Sequence, residues 1–117
     1  MFADRNSTFH PVIDRDAAIR NMGGMVWLYE KHLSRFRDTY SDSPERVMNL
    51  LNNEKNEEAR ILIHSVKGLS GTLGLIQLYY AASILERAII SSDPSLYDFL
   101  DIYRNRLREA LSSDINE

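Results

Sequence analysis

The sequence predicts an all-α chain: an antiparallel four-helix bundle with a short N-terminal helix in front of it. Three observations carry that expectation. Apolar residues recur three or four apart along most of the chain, and no segment alternates with the period of two that a half-buried strand requires. The pattern breaks at Gly23-Gly24, at Asn52 to Asn56, at Gly74 and at Ser91 to Pro94, all turn-forming residues between stretches of helical length. The connections are short and nothing repeats, so successive helices should lie side by side and antiparallel.

Each element follows in order. Met1 to His10 mix polar, aromatic and charged residues without a period and read as a flexible arm over 1–10. Pro11 then opens the short helix, with Asp14 as N-cap and Gly23-Gly24 as its end. From Met25 the helical period runs through Leu28, Tyr29, Leu33, Phe36 and Tyr40, and the same register continues through Val47, Leu50 and Leu51. Pro44 interrupts this stretch. The unbroken register favours one kinked helix over two helices with Ser43 as a cap. Glu57-Glu58 suits the positive end of the next helix, which runs to Leu73, and a further one spans Leu75 to about Ile90. Asp93 before Pro94 starts the last helix, whose Leu96, Phe99, Leu100, Tyr103, Leu107 and Leu111 form one face. The bundle domain therefore covers 11–113 and leaves a tail at 114–117.

Composition narrows the function. The 117 residues are 44% hydrophobic and 26% charged, the make-up of one globular domain rather than a disordered chain. There is no cysteine, which excludes disulfides, thiol chemistry and cysteine metal sites and fits a reducing, cytoplasmic setting. No apolar run approaches the ~20 residues of a membrane span, and the first ten residues lack the apolar stretch of a signal peptide. With 14 basic against 17 acidic residues, the net charge of -3 argues against a nucleic-acid partner. Of the three histidines, His10 and His32 have the ordinary setting of solvated surface residues.

His64 stands apart. At about 100° per residue, Ala59, Leu62, Ile63, Val66, Leu69, Ser70 and Leu73 fall in one arc roughly opposite His64. Gly68 and Gly71 lie within about 40° of the histidine, with Arg60 and Lys67 flanking it. Glycine inside a helix costs about 1 kcal/mol relative to alanine. Two on one outward face are best explained if something large must approach the backbone there. Lys67, one turn on, adds a cation to that face. Together these residues suit a site that carries or receives an anion. No second histidine or carboxylate stands at i+3 or i+4 to make a metal pair, and no nucleophile, base and orienting group assemble by local spacing.

The segment HSVKGLSGTLG, His64 to Gly74, with Leu85-Glu86 in the next helix, resembles the histidine-containing phosphotransfer (HPt) domains of two-component phosphorelays. The likeness extends upstream through LYEKHLSRFRDTYSDSPERVMNLL and covers roughly 11–90; it is strongest to modules attached to hybrid sensor histidine kinases. The resemblance implies that His64 is phosphorylated, that Lys67 stabilises phosphate charge and that Gly68 leaves room for a receiver domain. It implies a carrier without an ATP site or cofactor of its own, acting as a monomer, with Mg²⁺ supplied by the receiver. The chain departs from the family pattern at Ile63, often alanine, at Thr72, often asparagine, and at Glu86, glutamine in some members.

Two readings of Glu86 stand side by side: an ion pair across the bundle with Arg60, or an acceptor for the His64 Nδ1–H that leaves Nε2 free. For partner docking the residues singled out are Ile13, Met25, Leu28, Arg60, Ile61, Leu69 and Gly71, with Leu28 and Leu69 better suited to the core. Two rival functions share the fold: a docking module for a receiver or kinase that carries no phosphate, and a dimerising structural bundle, for which the outward glycines have no use.

Overall fold

The computed structural model describes residues 12–115, with side chains described to residue 112, and among them every regular element is a helix. The helices are α1 (Arg15–Asn21), α2 (Val26–Tyr40), α3 (Ser43–Asn52), α4 (Asn56–Thr72), α5 (Ile76–Ser91) and α6 (Leu96–Ile115). The arm, Pro11 and residues 116–117 of the tail lie outside the described residues, and α6 runs two residues past the expected domain end.

Local chemistry sets the ends. Asp14 caps α1, its carboxylate accepting from the Ala17 N–H at 3.3 Å. Gly23 and Gly24 then turn the chain at φ of +76° and +78°. Glu57 and Glu58 occupy the first turn of α4. Ser92 ends α5 in the left-handed conformation, and the Asp93 carboxylate accepts from the Ser95 N–H at 2.8 Å just before α6.

Pro44 divides what the register suggested was one kinked helix. The chain breaks at Ser41-Asp42, and Pro44 sits in the first turn of α3, where its missing N–H costs nothing. Inside a continuous helix that N–H would have met the Tyr40 carbonyl, which explains the break. Ser43 is not the cap: Asp42 holds that position, while Ser43 is buried and shares a hydrogen bond with the Tyr103 hydroxyl of α6. Burial pushes the Tyr103 phenol well above its ordinary range.

One apolar cluster joins Tyr29, Leu33 and Phe36 of α2 to Val47 of α3, Ile63 and Val66 of α4, Leu78 and Leu85 of α5, and Leu100 and Tyr103 of α6. The predicted arc of α4 is buried at Ala59, Ile63, Val66, Ser70 and Leu73. Leu69 departs from it and is 40% exposed. It lies at the edge of the arc, where a groove of about 410 Å³ between α2 and α4 leaves it open. The α6 face is as expected, with Ala110 added to it.

Two contacts fix how α4 and α5 meet: Gly71 lies against Tyr79, and His64 against Glu86. As one residue number falls the other rises, so the helices are antiparallel. The connection between them is clamped to the segment before α1. The Asp14 N–H donates to the Gly74 carbonyl at 2.7 Å, and the Ile76 N–H to that of Val12 at 3.1 Å. Nearby, the Tyr29 hydroxyl donates to the Leu73 carbonyl at 2.8 Å, satisfying an acceptor at the end of α4. His64 thus stands mid-helix on a strut held at its C-terminal end and along one flank. No helix among the described residues is long and apolar enough to cross a membrane.

Candidate functional site

α4 buries one face and presents the other, so His64 projects outward with its side chain 64% exposed. Beneath it stands Glu86 of α5, its side chain only 9% exposed. A charge so placed is costly unless it is paired. Here it is paired several times. Glu86 Oε2 lies 3.0 Å from His64 Nδ1 and 3.3 Å from Arg60 Nη1, while Oε1 lies 3.7 Å from Lys67 Nζ. Both readings of Glu86 are therefore realised at one oxygen.

The geometry sets the tautomer. A carboxylate accepts, so the 3.0 Å contact calls for the hydrogen on Nδ1. In the neutral ring Nε2 then keeps its lone pair, with no protein partner among the described residues. The site offers an exposed nitrogen nucleophile, oriented from behind and bordered by an ammonium group.

The α4 glycines differ from each other. A Cβ on Gly68 would meet nothing within 4 Å, so the flank of His64 is open as expected. A Cβ on Gly71 would lie 3.3 Å from the Tyr79 ring, so the close passage of α4 past α5 gives this glycine a packing reason inside the chain. Its use for an outside partner was inferred from an empty flank that Tyr79 in fact borders.

The docking residues divide similarly. Ile61 and Met25 are 51% and 41% exposed and Leu69 joins them, whereas Ile13 and Leu28 are half-buried, Ile13 packing against the core. Ile13 is held inward by the clamp on either side of it. Arg60 is spent within the chain: its Nε and Nη2 donate to Glu57 at 2.9 and 2.7 Å, and its third nitrogen goes to Glu86. The hydrogen bond from Arg60 holds the Glu57 carboxyl below its ordinary range, and the same bond raises the guanidinium.

Glu57 went unrecognised in sequence, where it served only as a residue of the first helical turn. Its signal was present nonetheless. Glu57, Arg60, His64 and Lys67 recur at helical spacing on a single stripe of α4. Trp27, 63% exposed at the start of α2, was also unforeseen, since periodicity does not distinguish an outward aromatic from an inward one. Among the described residues no three histidines or carboxylates gather closely enough to hold a metal ion. Comparison with protein-family models, with curated proteins and with solved structures yields no match for this chain.

Proposed function

We propose that this chain is a phosphate carrier in which His64 accepts a phosphoryl group from the aspartyl phosphate of a receiver domain and passes it to another, as in the HPt domains that its motif resembles. One observation carries the reading: an exposed imidazole whose Nδ1 is held at 3.0 Å by a buried carboxylate. On this reading α2 and α3 together form one member of an antiparallel four-helix bundle, with α4, α5 and α6 as the others. The packing of α4 on α5, α5 on α6, and α3 on both α4 and α6 supports that arrangement.

The chemistry follows from the site. The Nε2 lone pair attacks phosphorus, the N–P bond forms as the acyl O–P bond breaks, and the aspartate leaves as carboxylate. Nδ1 keeps its hydrogen throughout, and Glu86 stabilises the positive charge that the ring acquires. Phosphoryl transfer places its charge on the equatorial oxygens, so positioning and cations do most of the catalysis. Lys67 is the cation at hand, and the pull of a phosphoryl group competes with its loose 3.7 Å contact to Glu86. Mg²⁺ and the acidic pocket belong to the receiver, and the chain uses neither ATP nor a cofactor of its own. Gly68 leaves room for the approach, and Ile61, Leu69 and Met25 supply apolar surface for docking. The setting is cytoplasmic, as a monomer or as a module of a hybrid sensor kinase.

The test is direct. Incubated with a phosphorylated receiver and Mg²⁺, the wild type takes up one acid-labile phosphoryl group and His64→Gln takes up none. Equal labelling of the two, or none of the wild type, overturns the reading and leaves a docking module. Glu86→Ala should slow the uptake about tenfold, the lower end of the cost of losing the carboxylate that orients a metal-bound histidine. Glu86→Gln, which keeps an acceptor for Nδ1–H, should recover most of it. An unchanged initial rate in Glu86→Ala would show that the carboxylate plays no part in the transfer.

A further inference from the structure

Glu86 needs to be held as much as His64 does. The last torsion of a glutamate is broad, so a carboxylate with a single partner can rotate and take its acceptor oxygen elsewhere. Its two cations hold it unequally. Lys67 stands 3.7 Å from Oε1, beyond hydrogen-bond range, on a flexible stem that a phosphoryl group would draw away. Arg60 reaches Oε2, the same oxygen that receives His64 Nδ1, at 3.3 Å. Its planar fork is itself fixed, because Nε and Nη2 bind both oxygens of Glu57 at 2.9 and 2.7 Å. A rigid guanidinium cannot swing its remaining nitrogen without breaking that pair.

We propose that Arg60, braced by Glu57, is a positioning residue for His64, acting through Glu86 to keep the hydrogen on Nδ1 and Nε2 open. The chain of contacts runs Glu57, Arg60, Glu86, His64, with three of its members on one stripe of α4 and Glu86 supplied by α5. The bond to Glu57 holds the Arg60 guanidinium above its ordinary range, so the brace stays charged wherever a receiver would work. The purpose of the device rests on His64 being the phosphoryl acceptor; its geometry does not.

The test reads the tautomer and the transfer separately. In the full chain labelled with ¹⁵N-histidine, long-range proton–nitrogen spectra should show His64 as the Nδ1–H form. Arg60→Met should lose that single form and give a mixture with the Nε2–H tautomer, with His32 unchanged as a check on folding. Arg60→Lys keeps the charge without the fork and should fail to restore it. Glu57→Gln should move the mixture less, in the same direction. Uptake from a phosphorylated receiver should fall about tenfold in Arg60→Met. A pure Nδ1–H form in Arg60→Met overturns the inference, whatever its uptake. If Arg60→Met changes the tautomer but neither it nor wild type takes up phosphate, the positioning role stands and the phosphate-carrier reading fails.

Discussion

Gly68→Ala is expected to make this protein more stable, and Gly68→Gln, under the proposed phosphate-carrier function, to slow its uptake of phosphate sharply. Gly68 lies in the interior of α4 with helical backbone, and a Cβ there meets nothing within 4 Å. Alanine therefore restrains the unfolded chain without disturbing the folded one, worth about 1 kcal/mol. That gain should raise the midpoint of thermal unfolding by several degrees. Glutamine brings a long side chain one turn from His64, into the space that a donor's aspartyl phosphate would enter under the proposed function. Transfer needs reacting atoms about 3–3.5 Å apart, and a misplacement of about 1 Å can cost about 100-fold. We expect a loss of that order in the rate of uptake, with the fold intact. A Gly68→Gln protein that takes up phosphate at the wild-type rate would mean that no partner passes over this flank. Gly71→Ala serves as the contrast in stability, since there Tyr79 must yield by a few tenths of an ångström.

Gly74→Ala should be strongly destabilising. Gly74 has φ of +72°, and a Cβ on it would overlap the carbonyl oxygen of Asp14, a backbone atom that cannot rotate aside. The left-handed conformation alone costs a non-glycine residue about 1–2 kcal/mol. Relieving the overlap also pushes apart the Asp14–Gly74 hydrogen bond at 2.7 Å, worth about 1 kcal/mol more. The sum is about 2–3 kcal/mol, measurable as a lower midpoint in urea. A change below about 0.5 kcal/mol would show that the clamp between the first segment and the α4–α5 turn does not form. The two glycines thus predict opposite signs six residues apart in sequence, since a Cβ meets open space at one and the Asp14 backbone at the other.

The same distinction explains what was legible before the fold was known. Periodicity placed Ala59, Val66 and Leu73 inward and His64 outward, because a helix turns at a fixed angle and these three lie well within the arc opposite His64. Leu69 was misjudged because it lies at the arc's edge, where exposure depends on how closely α2 approaches. The contact of Gly71 with Tyr79 was not legible, because Tyr79 stands on another helix and no local pattern on α4 points to it. Pro44 could have kinked a helix or begun one; the burial of Ser43 against Tyr103 accompanies the second outcome, and that contact joins residues far apart in the chain. Glu86 was visible as a carboxylate at the edge of an apolar face. Which of its partners it would take was not, and the structure gives it both.

The central claim is that Nε2 of His64 is the atom that takes the phosphoryl group while Nδ1 stays with Glu86. It is tested most directly by nuclear magnetic resonance of the ¹⁵N-histidine protein after transfer from a phosphorylated receiver with Mg²⁺. The account predicts phosphorus coupling to Nε2 of His64 alone, a hydrogen retained on Nδ1, and unshifted signals from His10 and His32. Phosphorus coupling at Nδ1, or on another histidine, or no coupling at all, would contradict it.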